Sequence, residues 1–285
     1  MTTTLIVGCG YLGRRVGRLL RARGDRVLGT NRSRARAEEL DAWGVEPVLA
    51  DVLQPDTLTF PPADRVLYCV GFDRAAKVAM RTVYVDGLRN VLAKLPDIPG
   101  RFVYASSTGV YGQDDGGWVE EDSLTEPRHE AGRVCLEAEN VARATLPALV
   151  LRFSGLYGPG RIPRKASLER GEPIVGDPRK FLNVIHIDDA AAAAVAALDR
   201  GEPGGIYNVS DDRPVARSEY YDRVAESLRG PAPRFVPPAP GSAEAAREEA
   251  NKQVSNRRMR AELGVALRYP DIATGIPAAI DGEGS

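Results

Sequence analysis

Thr4-Leu5-Ile6-Val7-Gly8-Cys9-Gly10-Tyr11-Leu12-Gly13 is the stretch on which the fold turns. A short apolar run ends in glycines spaced GxGxxG, and Leu12, Val16, Leu19 and Leu20 then recur on one helical face. The glycine string alone arises by chance; a strand before it and a helix behind it supply the required context. Gly8 permits a tight turn, Gly10 lets backbone amides approach a pyrophosphate, and Gly13 lets the helix pack close to the sheet. A helix N-terminus adds N–H groups and the positive end of its dipole to an anion.

Outward from this loop, short apolar runs alternate with amphipathic stretches. Arg26–Leu28, Val66–Val70, Arg101–Ala105 and Leu149–Leu151 read as buried strands, with helices over 75–95 and 133–144 between them. The alternation predicts an α/β fold, a Rossmann-type doubly wound parallel sheet. The pattern then loosens. Asp188-Asp189 opens an alanine-rich helix, and Gly205–Val209 is another short strand. Five prolines between Pro231 and Pro240 argue against regular structure there. Helices are expected over 242–251 and 255–263. The boundaries expected are 1–152 plus about 183–209 for the nucleotide-binding domain. Segments 153–182 and 210–285 then form a smaller α/β substrate domain.

The cofactor set follows from the strand ends. Gly8, Gly10, Tyr11, Leu12 and Gly13 form the loop. The second strand runs into Asn31-Arg32-Ser33-Arg34 rather than the acid that would hold an NAD ribose. Arg32 and Arg34 suit a 2′-phosphate, which favours NADP over NAD. Asp51 and Val52 are placed to face an adenine, with loop capping the alternative for Asp51. Val70 completes the set.

The chain has 285 residues, 43% hydrophobic and 27% charged, with a net charge of −1. That excludes a globally basic nucleic-acid binder. There is no apolar run of membrane-spanning length and no secretory leader pattern, so the expected setting is cytoplasmic. Cys9, Cys69 and Cys135 form neither a disulfide framework nor a metal pattern. The near-neutral total hides a block of +8 from Arg14 to Arg36 and one of −7 from Gln113 to Glu139. The first is expected to wrap the phosphate end of the cofactor, unless both are simply solvated faces.

Further motifs are Ser106-Ser107-Thr108-Gly109-Val110-Tyr111-Gly112, Arg152 to Gly160 (RFSGLYGPG), Asn183 to Asp189 (NVIHIDD), and a tail from Lys252 to Tyr269-Pro270. With the glycine loop, these resemble the extended short-chain dehydrogenase/reductases, the NAD(P)-dependent epimerase/dehydratase family, over nearly the whole length. Within that family the chain looks like the atypical, YeeZ-like branch. The resemblance implies that Ser107 polarises a substrate carbonyl, that a small hydroxylated or nucleotide-sugar-like molecule is the substrate, and that the protein pairs as a homodimer. It also implies a YxxxK proton-transfer motif, which is missing. Only Lys77, Lys94, Lys165, Lys180 and Lys252 exist, and four residues before them stand Asp73, Asn90, Arg161, Gly176 and Glu248. In the expected segment Ala131 takes the tyrosine place and Cys135 the lysine place. The dehydratase acid pair is replaced by Thr108-Gly109.

Tyr111 and Tyr157 are the candidate substitute proton donors, with structural packing as the alternative. Ser107 is either catalytic or a loop cap, and Ser107, Thr108 and Arg161 are the substrate candidates. His186 is expected to position a helix start, and His129 to lie on an exposed loop. No metal ligands are expected. Two functions follow: an NADP-dependent oxidoreductase or epimerase with an unusual proton donor, or a non-catalytic NADP sensor.

Overall fold

The computed structural model describes residues 1–242, 245 and 250–282. Seven parallel strands make the central sheet: β1 (Thr3–Val7), β2 (Arg26–Asn31), β3 (Glu46–Leu49), β4 (Arg65–Tyr68), β5 (Arg101–Ser107), β6 (Leu149–Phe153) and β7 (Ile206–Val209), in the order β7-β6-β5-β4-β1-β2-β3. Thr4 of β1 pairs with Val27 of β2 on one side and Arg65 of β4 on the other. The chain order reverses between these neighbours, which opens a crevice beyond the carboxyl ends of β1 and β4.

The strand period of two decides the core. Leu5 and Val7 enter the apolar layer that holds Tyr68, Phe102 and Tyr104, whereas Ile6 enters the layer with Leu67, Val103 and Leu151. The first layer is covered by α3 (Gly87–Lys94) and α4 (Glu130–Thr145), the second by α1 (Tyr11–Ala22) and α5 (Ile187–Arg200). Small residues allow the close approach: a Cβ on Gly17 of α1 would lie 2.6 Å from Val45 Cγ2, and α5 buries Ala190, Ala193, Ala194 and Ala197. Each fully buried leucine here, such as Leu20 or Leu67, contributes roughly 1.5–3 kcal/mol.

A separate apolar cluster gathers Tyr157, Ile162, Leu168, Ile174, Val215 and Tyr220. It is closed by α6 (Arg217–Leu228) and α7 (Ile272–Asp281). Neither helix is legible beforehand, because α6 has a weak apolar pattern and α7 carries Gly275 and the breaker Pro277. Phe235-Val236, inside the proline-rich stretch, does form regular structure. This proline-free dipeptide pairs in parallel with Ile174-Val175. The stretch 75–95 is not one helix; short 3₁₀ and π turns precede α3. The expected 255–263 helix forms over Arg257–Glu262, while most of the one expected over 242–251 lies outside the described residues. Among the described residues no helix is long and apolar enough to cross a membrane.

Candidate functional site

The crevice between β1 and β4 holds a cavity of about 360 Å³. The glycines do what the spacing requires. Gly8 has φ +86°, and a Cβ there would lie 2.6 Å from Val70 Cα, so only glycine fits. At Gly13 a Cβ would meet Ile6 Cγ2 at 2.9 Å, which is the close helix–sheet packing expected. Gly10 is exposed, and a Cβ there would make only an ordinary contact, 3.9 Å from Gly8 O. It is the N-cap of α1; no side chain caps the helix and its first turn holds no acid, as anion binding there requires.

Of the expected cofactor residues, Gly8, Gly10, Asn31, Arg32, Asp51, Val52 and Val70 line this cavity. Leu12 and Gly13 are buried and can serve only through their backbone. Ser33 instead stands at the N-cap position of α2 (Arg34–Asp41) without a side-chain capping bond, its N–H donating to Asn31 Oδ1 at 3.1 Å. Asp51 both lines the cavity and caps its loop, accepting from Leu53 N at 2.9 Å. Arg34 is not at the cavity; Arg36, in the first turn of α2, takes that place. The helix start at Ser33 was the signal for it. Phe72 and Asp73 also line the cavity, and Asp73 accepts an ion pair from Arg32. Nothing in the sequence pointed to Asp73, because β4 brings it to β2 only in the folded sheet.

The +8 block does not wrap the cofactor end as a whole. Arg15 pairs with Asp188, Arg23 with Asp25 and Asp199, and Arg26 with Glu46. Arg14 and Arg18 cover Trp43. Only Arg32 and Arg36 of the block reach the cavity. The −7 block is matched by arginines from elsewhere: Arg257 on Glu120, Arg258 on Asp122, Arg81 on Glu137.

Tyr11 and Arg161 are brought together. The Tyr11 hydroxyl donates to Pro159 O at 3.1 Å, and the Arg15 and Arg161 guanidinium groups lie 4.4 and 5.5 Å from its ring centre. This ties the glycine loop to the 157–161 loop.

The two tyrosines proposed as proton donors sit in packed interiors. Tyr111 is 1% exposed. Its hydroxyl donates to Asn208 Oδ1 at 2.9 Å and accepts from Arg152 Nη1 at 2.8 Å. Arg152 is in turn paired with Glu139 at 2.8 Å, both almost wholly buried, and Ser106 Oγ donates to the same carboxylate. Tyr157 is 0% exposed. It packs edge-on against His186 and Tyr220, and a Cβ on Gly275 of α7 would meet its hydroxyl at 1.8 Å. Burial raises the pKa of both phenols. Neither faces a cleft in this conformation, which corrects the expectation drawn from their loop positions.

Ser107 Oγ accepts from Gly109 N at 3.1 Å, so it caps the turn after β5, and the residue remains half-buried. Thr108 is 9% exposed and holds that turn through its carbonyl. His186 caps α5 by accepting from Asp188 N. His129 likewise caps α4, accepting from Gly132 N, rather than lying free on a loop. On α4, Cys135 is buried among Val110, Tyr111 and Val254. Burial pushes its thiol up to about 11, so it stays protonated and unreactive at neutral pH.

One lysine that lacks the YxxxK spacing reaches this turn. Lys252 Nζ donates to Tyr111 O at 2.9 Å, and burial pulls its pKa down to about 8. Among the described residues no group of His, Cys, Asp or Glu is arranged to hold a metal ion.

The profile of the NAD dependent epimerase/dehydratase family matches residues 4–210. Protein YeeZ of Escherichia coli K12 is 30% identical over 284 residues, covering 95% of this chain and 97% of its own. A conserved protein of unknown function from Silicibacter pomeroyi superposes with a TM-score of 0.78 at 32% identity, over 99% of this chain and 100% of its own. UDP-glucuronic acid 4-epimerase from Bacillus cereus, solved with NAD, shares the fold at TM-score 0.80 and 18% identity, over 98% and 97%.

Proposed function

This chain belongs to the NAD dependent epimerase/dehydratase family, and from that membership we propose that it binds NADP and exchanges hydride with a small hydroxylated, nucleotide-sugar-like substrate. The carrying observation is the coincidence of the crevice cavity with the glycine loop: Gly8 and Gly10 line it together with Arg32, Arg36, Asp51 and Val70. The phosphate preference rests on Arg36 and Arg32 and on Asn31 standing where an acid would hold a ribose. Asp73 already pairs with Arg32, which leaves Arg36 the stronger contributor.

When bound, the dinucleotide supplies the hydride acceptor and donor. The glycine loop and the α1 N-terminus hold its pyrophosphate, and Val52 and Asp51 face its adenine. Ser107 offers a hydroxyl to the substrate oxygen at the carboxyl end of β5. Substrate contacts come from the region around Arg161 and from segments 153–182 and 210–285, which supply all but Val184 of the buried apolar cluster around Tyr157; segments 1–152 and 183–209 carry the cofactor.

A second reading, a nucleotide sensor without turnover, is supported by α4, where Ala131 and Cys135 stand at the positions that the family resemblance implies for a proton donor and its lysine. Calorimetry with NADPH and NADH, followed by NADPH oxidation against a panel of keto-sugars, separates the two. NADPH binding with turnover that falls in Ser107→Ala supports the first reading. Binding without oxidation of any panel member supports the second. Absence of binding by either dinucleotide overturns both.

A further inference from the structure

Several basic side chains near the turn after β5 are matched by acids. Arg257 takes Glu120, Arg258 takes Asp122, and Arg128 takes Asp114 at 2.9 Å. Lys252, like Arg133 with its bond to Arg128 O, is not. It sits in a neighbourhood supplied by a nine-acid block, yet among the described residues no carboxylate pairs with it. Its hydrogen bond to Tyr111 O leaves two of the three ammonium donors without a protein partner among the described residues. A half-buried ammonium with no protein counter-ion is suited to take one from a ligand.

The lysine is also held in place. Asn183 clamps its backbone, donating to Lys252 O at 2.9 Å and accepting from Val254 N at 2.8 Å. Asn251 N donates to Gln113 O, and Gln253 N to Gly117 O. These bonds fix the backbone of the strap, and the bond to Tyr111 O holds the ammonium at the turn. The strap lies against the turn that begins at Ser107. Val254 shares an apolar cluster with Tyr111 and Cys135, so a lysine from the C-terminal strap stands beside the helix whose own lysine place is filled by a thiol.

We propose that Lys252 is an anion-binding residue of the substrate site, taking an oxyanion carried by the substrate, either a carboxylate or a phosphate. A compact ammonium with fixed backbone on one side suits a point contact of that kind. The ligand's negative charge would supply the counter-ion that the protein withholds, and binding would raise the pKa of the amine from its present value of about 8. This deepens the functional reading above and rests on it for the word substrate.

The test is pulse acetylation of the full chain with acetic anhydride, mapped by peptide mass spectrometry, with and without NADPH. Lys252 is expected to label with a midpoint near pH 8, well below Lys77 and Lys94. Inorganic pyrophosphate or glucuronate, at about ten times its Kd, should slow Lys252 labelling roughly tenfold without protecting the other two lysines. Uridine and glucose should not. Protection by pyrophosphate alone assigns a phosphate, and protection by glucuronate alone a carboxylate. No labelling of Lys252, or labelling that neither anion slows, overturns the proposal. Lys252→Met should weaken the protecting anion at least about tenfold, with Lys252→Arg restoring most of it; equal affinity in Lys252→Met also overturns it. NADPH calorimetry on the wild-type chain reports separately on the cofactor reading, so the two can fail independently.

Discussion

The glycine loop and the turn after β5 lie at the carboxyl ends of strands in the same sheet, yet they obey local rules to different degrees. At the loop every glycine has a steric reason: Gly8 a positive φ against Val70, Gly13 the approach to Ile6, Gly10 an exposed face. At the turn, the family's working parts are rearranged. Ser107 spends its oxygen on a cap, Tyr111 is locked to Arg152 and Asn208, and the α4 lysine place holds a buried thiol. On the proposed reading, the backbone geometry that would hold a nucleotide is present, while the tyrosine and lysine that the family resemblance implies are not. That reading places the two functions in different parts of the chain.

The largest effect that would break this contrast is at Gly8. Gly8→Ala forces a left-handed backbone and a Cβ onto Val70; it should abolish NADPH binding and cost about 2–4 kcal/mol in urea unfolding. Gly10→Ala, whose Cβ meets no clash, should weaken binding but change stability by less than about 0.5 kcal/mol. Equal stability losses in the two variants would contradict the distinct roles assigned to them.

Glu139→Gln tests the network behind the turn. It leaves Arg152 buried without its carboxylate, and a loss of about 3–5 kcal/mol is expected with NADPH affinity nearly unchanged in the folded fraction. Arg36→Ala should lower the NADPH-to-NADH affinity ratio by about tenfold, roughly 1.4 kcal/mol, measured by calorimetry. Arg32→Ala should lower it less, because Asp73 already engages that guanidinium.

Asp211 gives a pH-dependent test. It is 1% exposed, and burial lifts its carboxyl from 3.8 to about 8. The folded chain keeps a proton that the unfolded chain has lost, so this contribution is full below about pH 4 and declines as pH rises towards 8. Asp211→Asn cannot lose it. The variant should match wild type near pH 4 and exceed its Tm by at least about 3 °C at pH 8. A constant difference across that range would refute the assignment.

The smallest effect is at Tyr157, whose hydroxyl has no hydrogen-bond partner among the described residues. Tyr157→Phe should stay within about 0.5 kcal/mol of wild type in urea unfolding and leave any turnover unchanged. A large loss of turnover alone would return Tyr157 to the catalytic list.

Local pattern is enough for the sheet, the tight glycine turn, and the position of Asn31, Arg32, Asp51, Val52 and Val70 at the cavity. Those positions depend on backbone period and steric fit, and both are written in neighbouring residues. The same pattern exposed the missing YxxxK, since five lysines permit a complete check. Three things were decided only in the folded chain: the reach of Arg36 and Asp73 into the cavity, the sealing of Tyr111 and Tyr157, and the arrival of Lys252 at Tyr111 O across 141 residues. Each depends on which side chains from distant segments share a place and how much water is left there. Burial and partner choice are properties of the assembled packing, and no short window of residues contains them.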